Sequence, residues 1–128
     1  MKNELTYCKI LGTNINVTNM EDTIAYLTGN LEQLKGDYIC VSNVHTTVMA
    51  YRDKAYRRVQ NSAAMALPDG QPLSIVSRKR GFSEARRVPG PDLMPKIFEA
   101  SRERGFRHYF YGGSKETLDK LKSKLKKQ

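Results

Sequence analysis

Apolar residues recur along the first part of the chain at two spacings, which predict a short β-hairpin followed by a helix. Residues 6–11 and 14–17 are short extended stretches separated by Gly12, a pattern typical of a hairpin or a bent strand. Asn19 is then predicted to cap a helix, with acidic residues in its first turn. The apolar residues of one amphipathic helix recur before Gly36: Ile24, Leu27, Leu31 and Leu34.

The middle of the chain repeats a unit of strand, turn and helix. Residues 38–41 form a short apolar run, and the stretch 42–60 after it has apolar residues at helical intervals. A second apolar run, 64–67, ends in a Pro-Asp-Gly turn, and residues 71–80 again follow a helical pattern. The sequence therefore predicts two consecutive strand-and-helix units here.

The last third of the chain continues the same alternation. Asp92 is predicted to cap a third helix that ends at Gly105, and residues 107–111 are predicted to form the next strand. A glycine-rich turn, 112–114, leads into a last helix with three leucines on one face and six lysines elsewhere. The third helix is expected to bury four apolar residues: Leu93, Met94, Ile97 and Phe98.

Strands that alternate with helices of this length indicate parallel pairing with right-handed crossovers. We therefore predict a Rossmann-like α/β fold, a parallel sheet with flanking helices. Only three or four strands are predicted, whereas such sheets usually have about five or six. The chain is accordingly expected to be truncated, with residues 1–128 as the amino-terminal part of a single α/β domain.

Composition and charge limit the class of protein without choosing a function. The apolar share of 39% and charged share of 27% are those of a soluble globular protein. No run of about 18 apolar residues and no signal peptide is seen, which predicts a cytoplasmic location. The net charge is +9, and residues 65–128 hold 15 basic and 7 acidic side chains. Such an excess suits nucleic acid, an anionic membrane surface or a diphosphate substrate alike.

Three polar turns follow predicted strands, where α/β sheets bind their ligands. Asp69 follows a buried strand and is either a general base or the cap of the next helix. Asn43 could bond a sugar hydroxyl or cap its own helix. Gly112 and Gly113 could leave bare amides for a phosphate or form a plain turn. Neither the P-loop nor the dinucleotide-binding fingerprint is present.

Other candidate chemistry is less specific. Basic residues cluster around residues 81–85 and could clamp a diphosphate or remain a solvated loop. Cys8 and Cys40 lack metal-ligand spacing and are interpreted as reduced core thiols, and His45 has no partner ligand nearby in sequence. We therefore predict no metal and no cofactor. The basic cluster consists of Arg78, Lys79, Arg80, Arg86 and Arg87.

Several motifs together resemble the first half of the WecG/TagA/CpsF glycosyltransferases. They are the asparagine after the strand, Asn43; the stretch NSAAMALPDGQP at 61–72; the R-V-x-G-x-D-L motif at 87–93; and the Gly-Gly turn. The resemblance spans nearly the whole chain. It implies an inverting, metal-independent transfer of a sugar, N-acetylmannosamine or a related hexose, from a UDP-sugar to a polyprenyl-diphosphate-linked sugar. The product would be wall teichoic acid, enterobacterial common antigen or a capsule-like polymer.

The resemblance also implies roles for particular residues. Asp69 would be the catalytic base, Asn43 would hold sugar hydroxyls and Arg87 would face a diphosphate. It further implies a peripheral location on the inner face of the cell membrane and a homo-oligomer. The full expected set of substrate-binding residues is Asn43, Gly70, Gln71, Arg87, Gly90, Asp92, Gly112 and Gly113.

Two departures from the family pattern affect these expectations. Val41 and Ser42 stand where many relatives carry threonine and proline, which affects the choice of donor sugar. Family members also continue well beyond Gln128, so this chain is expected to be weakly active or an inactive fragment. Two other hypotheses stay open, a basic nucleic-acid-binding module and a membrane-binding or partner-binding role for the last helix. Nucleic acid is not among the predicted partners.

Overall fold

The computed structural model describes residues 5–127, which form four strands and six helices. The strands are β1 (Tyr7–Ile10), β2 (Thr13–Asn16), β3 (Ile39–Ser42) and β4 (Met65–Pro68). The helices are α1 (Met20–Gly29), α2 (Val44–Arg52), α3 (Lys54–Ser62), α4 (Gln71–Lys79), α5 (Gly90–Arg104) and α6 (Lys115–Lys126).

Strands β1 and β2 form the predicted hairpin. They pair antiparallel, with Cys8 opposite Ile15. The turn between them uses two left-handed residues, Leu11 (φ 50°) and Gly12 (φ 87°). Only Gly12 adopts such a conformation without a side-chain clash, so the break that the sequence shows at this glycine has a steric cause.

Strands β3 and β4 pair in parallel, with Ile39 opposite Met65. The ladder continues past β4, because the Asp69 amide donates to the Ser42 carbonyl at 2.8 Å. Helices α2 and α3 connect the two strands, as a parallel crossover requires. This mixed α/β arrangement around a parallel sheet confirms the Rossmann-like prediction.

Strand β4 lies at the centre of the core, and all four of its residues are buried. The hairpin is joined to it by a side chain: Asn16, 2% exposed, accepts a hydrogen bond at 2.7 Å from the Ala66 amide. One apolar cluster lies under the hairpin and includes Ile15 and Leu73. A second contains Leu67, and helices α1 and α5 pack against it.

Two predicted helices have different limits in the structure. The stretch 42–60 holds two helices, because the Asp53 carboxylate accepts from the Ala55 and Tyr56 amides and so caps a new helix. Helix α1 ends at Gly29, well before Gly36, and Leu31 is 45% exposed. Asn19 caps α1 as predicted by accepting from the Asp22 amide.

Helix α5 begins three residues earlier than predicted, so the prediction of Asp92 as its cap was wrong. Pro89 occupies the cap position, and Asp92 lies in the first turn, where its charge complements the helix dipole. Met94 is 52% exposed, which contradicts its expected burial. Gly105 ends the helix as predicted, in the left-handed conformation (φ 67°).

The predicted strand at 107–111 was also wrong, since these residues form no strand in the described structure. The segment instead packs on α5 through its side chains. The ring of Phe98 lies against His108 and Phe110, with centroid distances of 5.0 and 5.7 Å. A strand needs a neighbouring backbone for its hydrogen bonds, and none pairs with this segment in residues 5–127.

Candidate functional site

The carboxyl ends of β3 and β4 bring two of the predicted polar turns together. Asn43 follows β3 directly, and Asp69 with Gly70 follows β4. A side chain added at Gly70 would place its Cβ 3.8 Å from the Asn43 Cβ, so the two turns are in van der Waals range. A ligand at this end of the sheet can therefore contact both turns.

Asn43 caps helix α2, as one of its two interpretations predicted. Its Oδ1 accepts from the Thr46 amide at 2.9 Å, and Thr46 Oγ1 accepts from the Asn43 amide at 3.0 Å, which completes a capping box. The Asn43 Nδ2 group has no hydrogen-bond partner among the described residues. Capping fixes the side chain and leaves its amide donor available to a ligand.

Asp69 does not cap the following helix. Gly70 holds the cap position of α4 without a side-chain hydrogen bond. The Asp69 carboxylate is half-buried and forms neither a hydrogen bond nor an ion pair with any residue of the 5–127 range. Its backbone is held on both sides, by the bond to Ser42 and by Arg87 Nε, which donates to the Asp69 carbonyl at 3.0 Å. A fixed backbone and an uncommitted carboxylate together suit a proton acceptor.

Arg87 contacts the Asp69 turn and also lines an open cleft of about 680 Å³. Its neighbour Val88 donates to the Pro68 carbonyl at 2.8 Å, which keeps the segment beside β4. The Arg87 side chain is exposed and uses only its Nε in the hydrogen bond to Asp69. The cleft is lined by Met20, Arg87, Pro89, Pro91, Asp92, Pro95, Lys96 and Glu99.

Gly90 and Gln71 complete the neighbourhood of the site. A Cβ at Gly90 would lie 3.4 Å from Val41 Cγ1, so glycine allows the start of α5 to approach β3 closely. Gln71 begins α4 and is exposed, with its Oε1 accepting from Ser74 Oγ at 3.3 Å. The structure thus gathers Asn43, Gly70 and Gln71 around Asp69, with Arg87, Gly90 and Asp92 on the adjoining segment.

A buried polar chain supports the site and was missed from the sequence. Ser42 Oγ donates to Gln60 Oε1 at 2.8 Å, and Gln60 Nε2 donates to the Tyr56 hydroxyl at 3.0 Å. Ser42 is 1% exposed and Gln60 6% exposed. The helical spacing of Tyr56 and Gln60 was a usable signal, because a polar residue on an inward-facing stripe requires a partner.

Most side chains of the basic cluster around residues 81–85 donate hydrogen bonds to backbone carbonyls. Arg78 Nη1 donates to the Ala85 carbonyl at 2.8 Å, and Arg86 Nη1 donates to the Ser83 and Ala85 carbonyls. Arg80 donates to the Lys9 carbonyl on the hairpin. Within this cluster only Arg87 lines the cleft, so the structure does not assemble the arginines into one clamp.

The Gly112–Gly113 turn lies apart from this cleft. Both glycines have positive φ, 116° and 72°, so the turn requires them. Ser114 then caps α6 by accepting from the Thr117 amide at 3.1 Å. Neither glycine lines the cleft that Arg87 and Asp92 share, and the structure does not bring this turn to Asp69.

Two further observations concern metals and membranes. Across residues 5–127, no three side chains of His, Cys, Asp or Glu converge in a way that could hold a metal ion. Over the same residues, no helix combines the length and apolar character needed to cross a bilayer.

Comparison with known proteins gives consistent matches. Residues 8–128 match the family described as "Glycosyl transferase WecG/TagA/CpsF family". A protein of Bacillus spizizenii named N-acetylglucosaminyldiphosphoundecaprenol N-acetyl-beta-D-mannosaminyltransferase is 31% identical over 99 residues, which cover 74% of this chain and 38% of that protein. A protein of the same name from Bacillus subtilis is 26% identical over 109 residues, with coverage of 84% and 43%. The chain spans about two fifths of the length of these relatives.

Proposed function

Because the chain belongs to the WecG/TagA/CpsF family of glycosyltransferases, we propose that it contributes the catalytic base and part of the donor site of a sugar transferase. The donor is a UDP-sugar, N-acetylmannosamine or a related hexose, and the acceptor is a sugar linked to a polyprenyl diphosphate. The two Bacillus relatives carry names that describe a transfer to such an acceptor. The polymer made is of the teichoic acid or cell-surface polysaccharide class.

The observation that carries the proposal is the half-buried Asp69 carboxylate, which makes no bond within the described chain. In the proposed step, Asp69 removes the proton from the acceptor hydroxyl as that oxygen bonds to the anomeric carbon. The bond from the anomeric carbon to UDP breaks in the same step, which inverts the configuration at that carbon. A general base held in position contributes about a hundredfold or more to such a step.

Two neighbouring residues support this step. The Asn43 amide, with its free Nδ2 donor, hydrogen-bonds a sugar hydroxyl. The Arg87 guanidinium pairs with the diphosphate of the leaving UDP, since a planar guanidinium can donate two parallel hydrogen bonds to phosphate oxygens. Arg87 Nε also donates to the Asp69 carbonyl at 3.0 Å. This bond holds the catalytic base and the diphosphate site at a fixed position relative to each other.

The first test measures UDP binding to this chain by titration calorimetry. Arg87→Ala should weaken binding by about tenfold or more, and Arg87→Lys should restore only part of it. Arg58→Ala removes an exposed arginine on α3, away from the cleft, and serves as the matched control. Equal binding by the Arg87→Ala variant and the parent chain would remove Arg87 from the donor site.

The second test measures transfer in a hybrid protein in which this chain replaces the matching stretch of the Bacillus spizizenii relative. The substrates are UDP-N-acetylmannosamine and a short prenyl-diphosphate N-acetylglucosamine. Asp69→Asn should lower UDP release by about a hundredfold or more while calorimetric UDP binding persists. Asp119→Asn makes the same chemical change on α6 and should leave the rate unchanged. Unchanged turnover in the Asp69→Asn hybrid would refute the role of base.

A further inference from the structure

Ser42, the last residue of β3, links helix α3 to the turn that carries Asp69. Its hydroxyl donates to Gln60 Oε1 on α3 at 2.8 Å. Its carbonyl accepts from the Asp69 amide, also at 2.8 Å. Both bonds belong to one residue, so a displacement of Ser42 would be passed to Asp69 through a single hydrogen bond.

The side-chain amide of Gln60 is held at both of its ends. Its Oε1 accepts from Ser42, and its Nε2 donates to the Tyr56 hydroxyl at 3.0 Å. The amide oxygen can only accept and the amide nitrogen can only donate, so these two partners fix one orientation of the group. Tyr56 lies in the first turn of α3, where its own amide donates to the Asp53 carboxylate that caps the helix.

Burial indicates that the bond between Ser42 and Gln60 serves geometry more than stability. Both side chains are buried, and each gave up its hydrogen bonds to water on folding. Because of this loss, an apolar pair of similar shape is often about as stable as a buried hydrogen-bonded pair. A fully satisfied polar pair adds a defined direction that an apolar contact lacks, and it makes the surrounding structure more rigid.

The residue after Ser42 is held in a comparable way by helix α2. The Asn43 carbonyl accepts from the Thr47 amide at 3.0 Å and from the Thr47 hydroxyl at 2.7 Å. Helix α2 packs on α3. The two consecutive residues at the carboxyl end of β3 are therefore fixed by two helices that contact each other, beside the Asp69 turn.

We propose that Ser42 and Gln60 are positioning residues for sugar transfer, with Tyr56 as the outer member of the same chain of hydrogen bonds. The inference rests on the proposed role of Asp69 as the base. Both buried side chains act through the Asp69 backbone and touch no substrate. They keep the Asp69 carboxylate within hydrogen-bond reach of the acceptor hydroxyl, and small errors in such a position slow proton transfer strongly.

The first experiment measures steady-state transfer in the hybrid protein used for the Asp69 tests. Ser42→Ala and Gln60→Leu should each lower kcat about tenfold or more, whereas the KM for the UDP-sugar should stay within about twofold. Ser101→Ala is the matched control, because it removes another buried serine hydroxyl, which is hydrogen-bonded to the Ile97 carbonyl on α5. Its kcat should equal that of the parent hybrid. Full kcat in Ser42→Ala would overturn the proposal.

The double variant Ser42→Ala with Gln60→Leu separates positioning from stability. Each single substitution leaves one buried polar group without its partner and should lower the melting temperature of the 128-residue chain by about 3 °C or more. The double variant removes both groups and should recover most of that loss, while its kcat in the hybrid should stay as low as in the single variants. Recovery of kcat together with the melting temperature would show a merely structural role and overturn the proposal.

Tyr56→Phe tests the outer end of the chain of hydrogen bonds. It removes the acceptor of Gln60 Nε2 but leaves the bond between Ser42 and Gln60 in place. The loss of kcat should therefore be smaller than in Ser42→Ala, and Tyr51→Phe, at an exposed tyrosine on α2, should cause none. A larger loss in Tyr56→Phe than in Ser42→Ala would contradict an effect transmitted through Ser42.

The Asp69→Asn hybrid, measured beside these variants, distinguishes this inference from the proposed function. Loss of transfer in Asp69→Asn together with full turnover in Ser42→Ala and Gln60→Leu would retain the base and overturn its positioning. Unchanged turnover in Asp69→Asn would overturn both. Loss of transfer in Asp69→Asn, with lowered kcat and unchanged KM in the Ser42 and Gln60 variants, is the result we expect.

Discussion

Strand β4 and helix α6 represent opposite kinds of packing in one chain. Every residue of β4 is buried, with Leu67 0% exposed, whereas α6 buries none. The strand is contacted by the hairpin, by β3 and by α4, while α6 meets the rest of the chain through half-exposed leucines. The comparison teaches that the candidate catalytic turn follows a fully buried strand, whereas the last described helix remains largely exposed.

A leucine-to-alanine substitution should change the free energy of unfolding far more in β4 than in α6. Leu67→Ala opens a cavity beneath the Asp69 turn and should lower the free energy of unfolding by about 2–5 kcal/mol. Leu121→Ala on α6 should cost less than about 1 kcal/mol, because its side chain is already partly hydrated. Urea denaturation followed by circular dichroism gives both values. Equal losses would show that α6 is packed as firmly as β4.

The packing of β4 depends partly on the buried hydrogen bond from the Ala66 amide to the Asn16 side chain. Asn16→Ala leaves the Ala66 amide without its acceptor inside the core and should destabilise the protein by about 1–3 kcal/mol. Asn61→Ala breaks two hydrogen bonds to the hairpin, but at an exposed position, and should cost less than about 1 kcal/mol. If thermal unfolding ranks the two variants in reverse order, burial does not set the strength of these bonds.

Two glycines at helix ends differ in backbone conformation, which is left-handed at Gly105 and helical at Gly29. A Cβ at Gly105 or at Gly29 would meet no atom within 4 Å, so only conformation distinguishes them. Gly105 has φ 67°, and Gly105→Ala should destabilise by about 1 kcal/mol. Gly29 is helical, and Gly29→Ala should stabilise by about 0.5–1 kcal/mol. Melting temperatures shifted in the same direction would contradict this assignment.

The smallest expected effect concerns the pH dependence of the sheet. Burial raises the pKa of the Cys40 thiol on β3. The unfolded chain then loses this proton at a lower pH than the folded chain, so stability is complete below the ordinary thiol pKa and declines as the pH rises through the raised pKa. Cys40→Ala should flatten the alkaline decline in the free energy of unfolding. A curve parallel to that of the parent chain would show that Cys40 does not contribute.

Much of the fold could be predicted because its signals are local. Asn19 and Asn43 cap helices through atoms only three residues away, and the apolar runs at β3 and β4 lie between turn residues. The Asp69 turn was also found by its position after a strand, and Arg87 by the basic cluster around residues 81–85 and by the family motif. Local sequence could not tell whether Asp69 caps α4, since that depends on the backbone geometry of Gly70 and Pro72.

What the sequence by itself determined was the order of elements as far as α5, the helix limits at Asn19 and Gly105, the family and the candidate residues that follow the strands. Only the tertiary structure decided which groups are bonded to which. It engaged Arg78 and Arg86 with loop carbonyls, joined Ser42 to Gln60, and left residues 107–111 unpaired. Caps and helical stripes depend on neighbours within one or two turns, whereas strand pairing and buried polar bonds depend on partners far along the chain, whose positions no local pattern encodes.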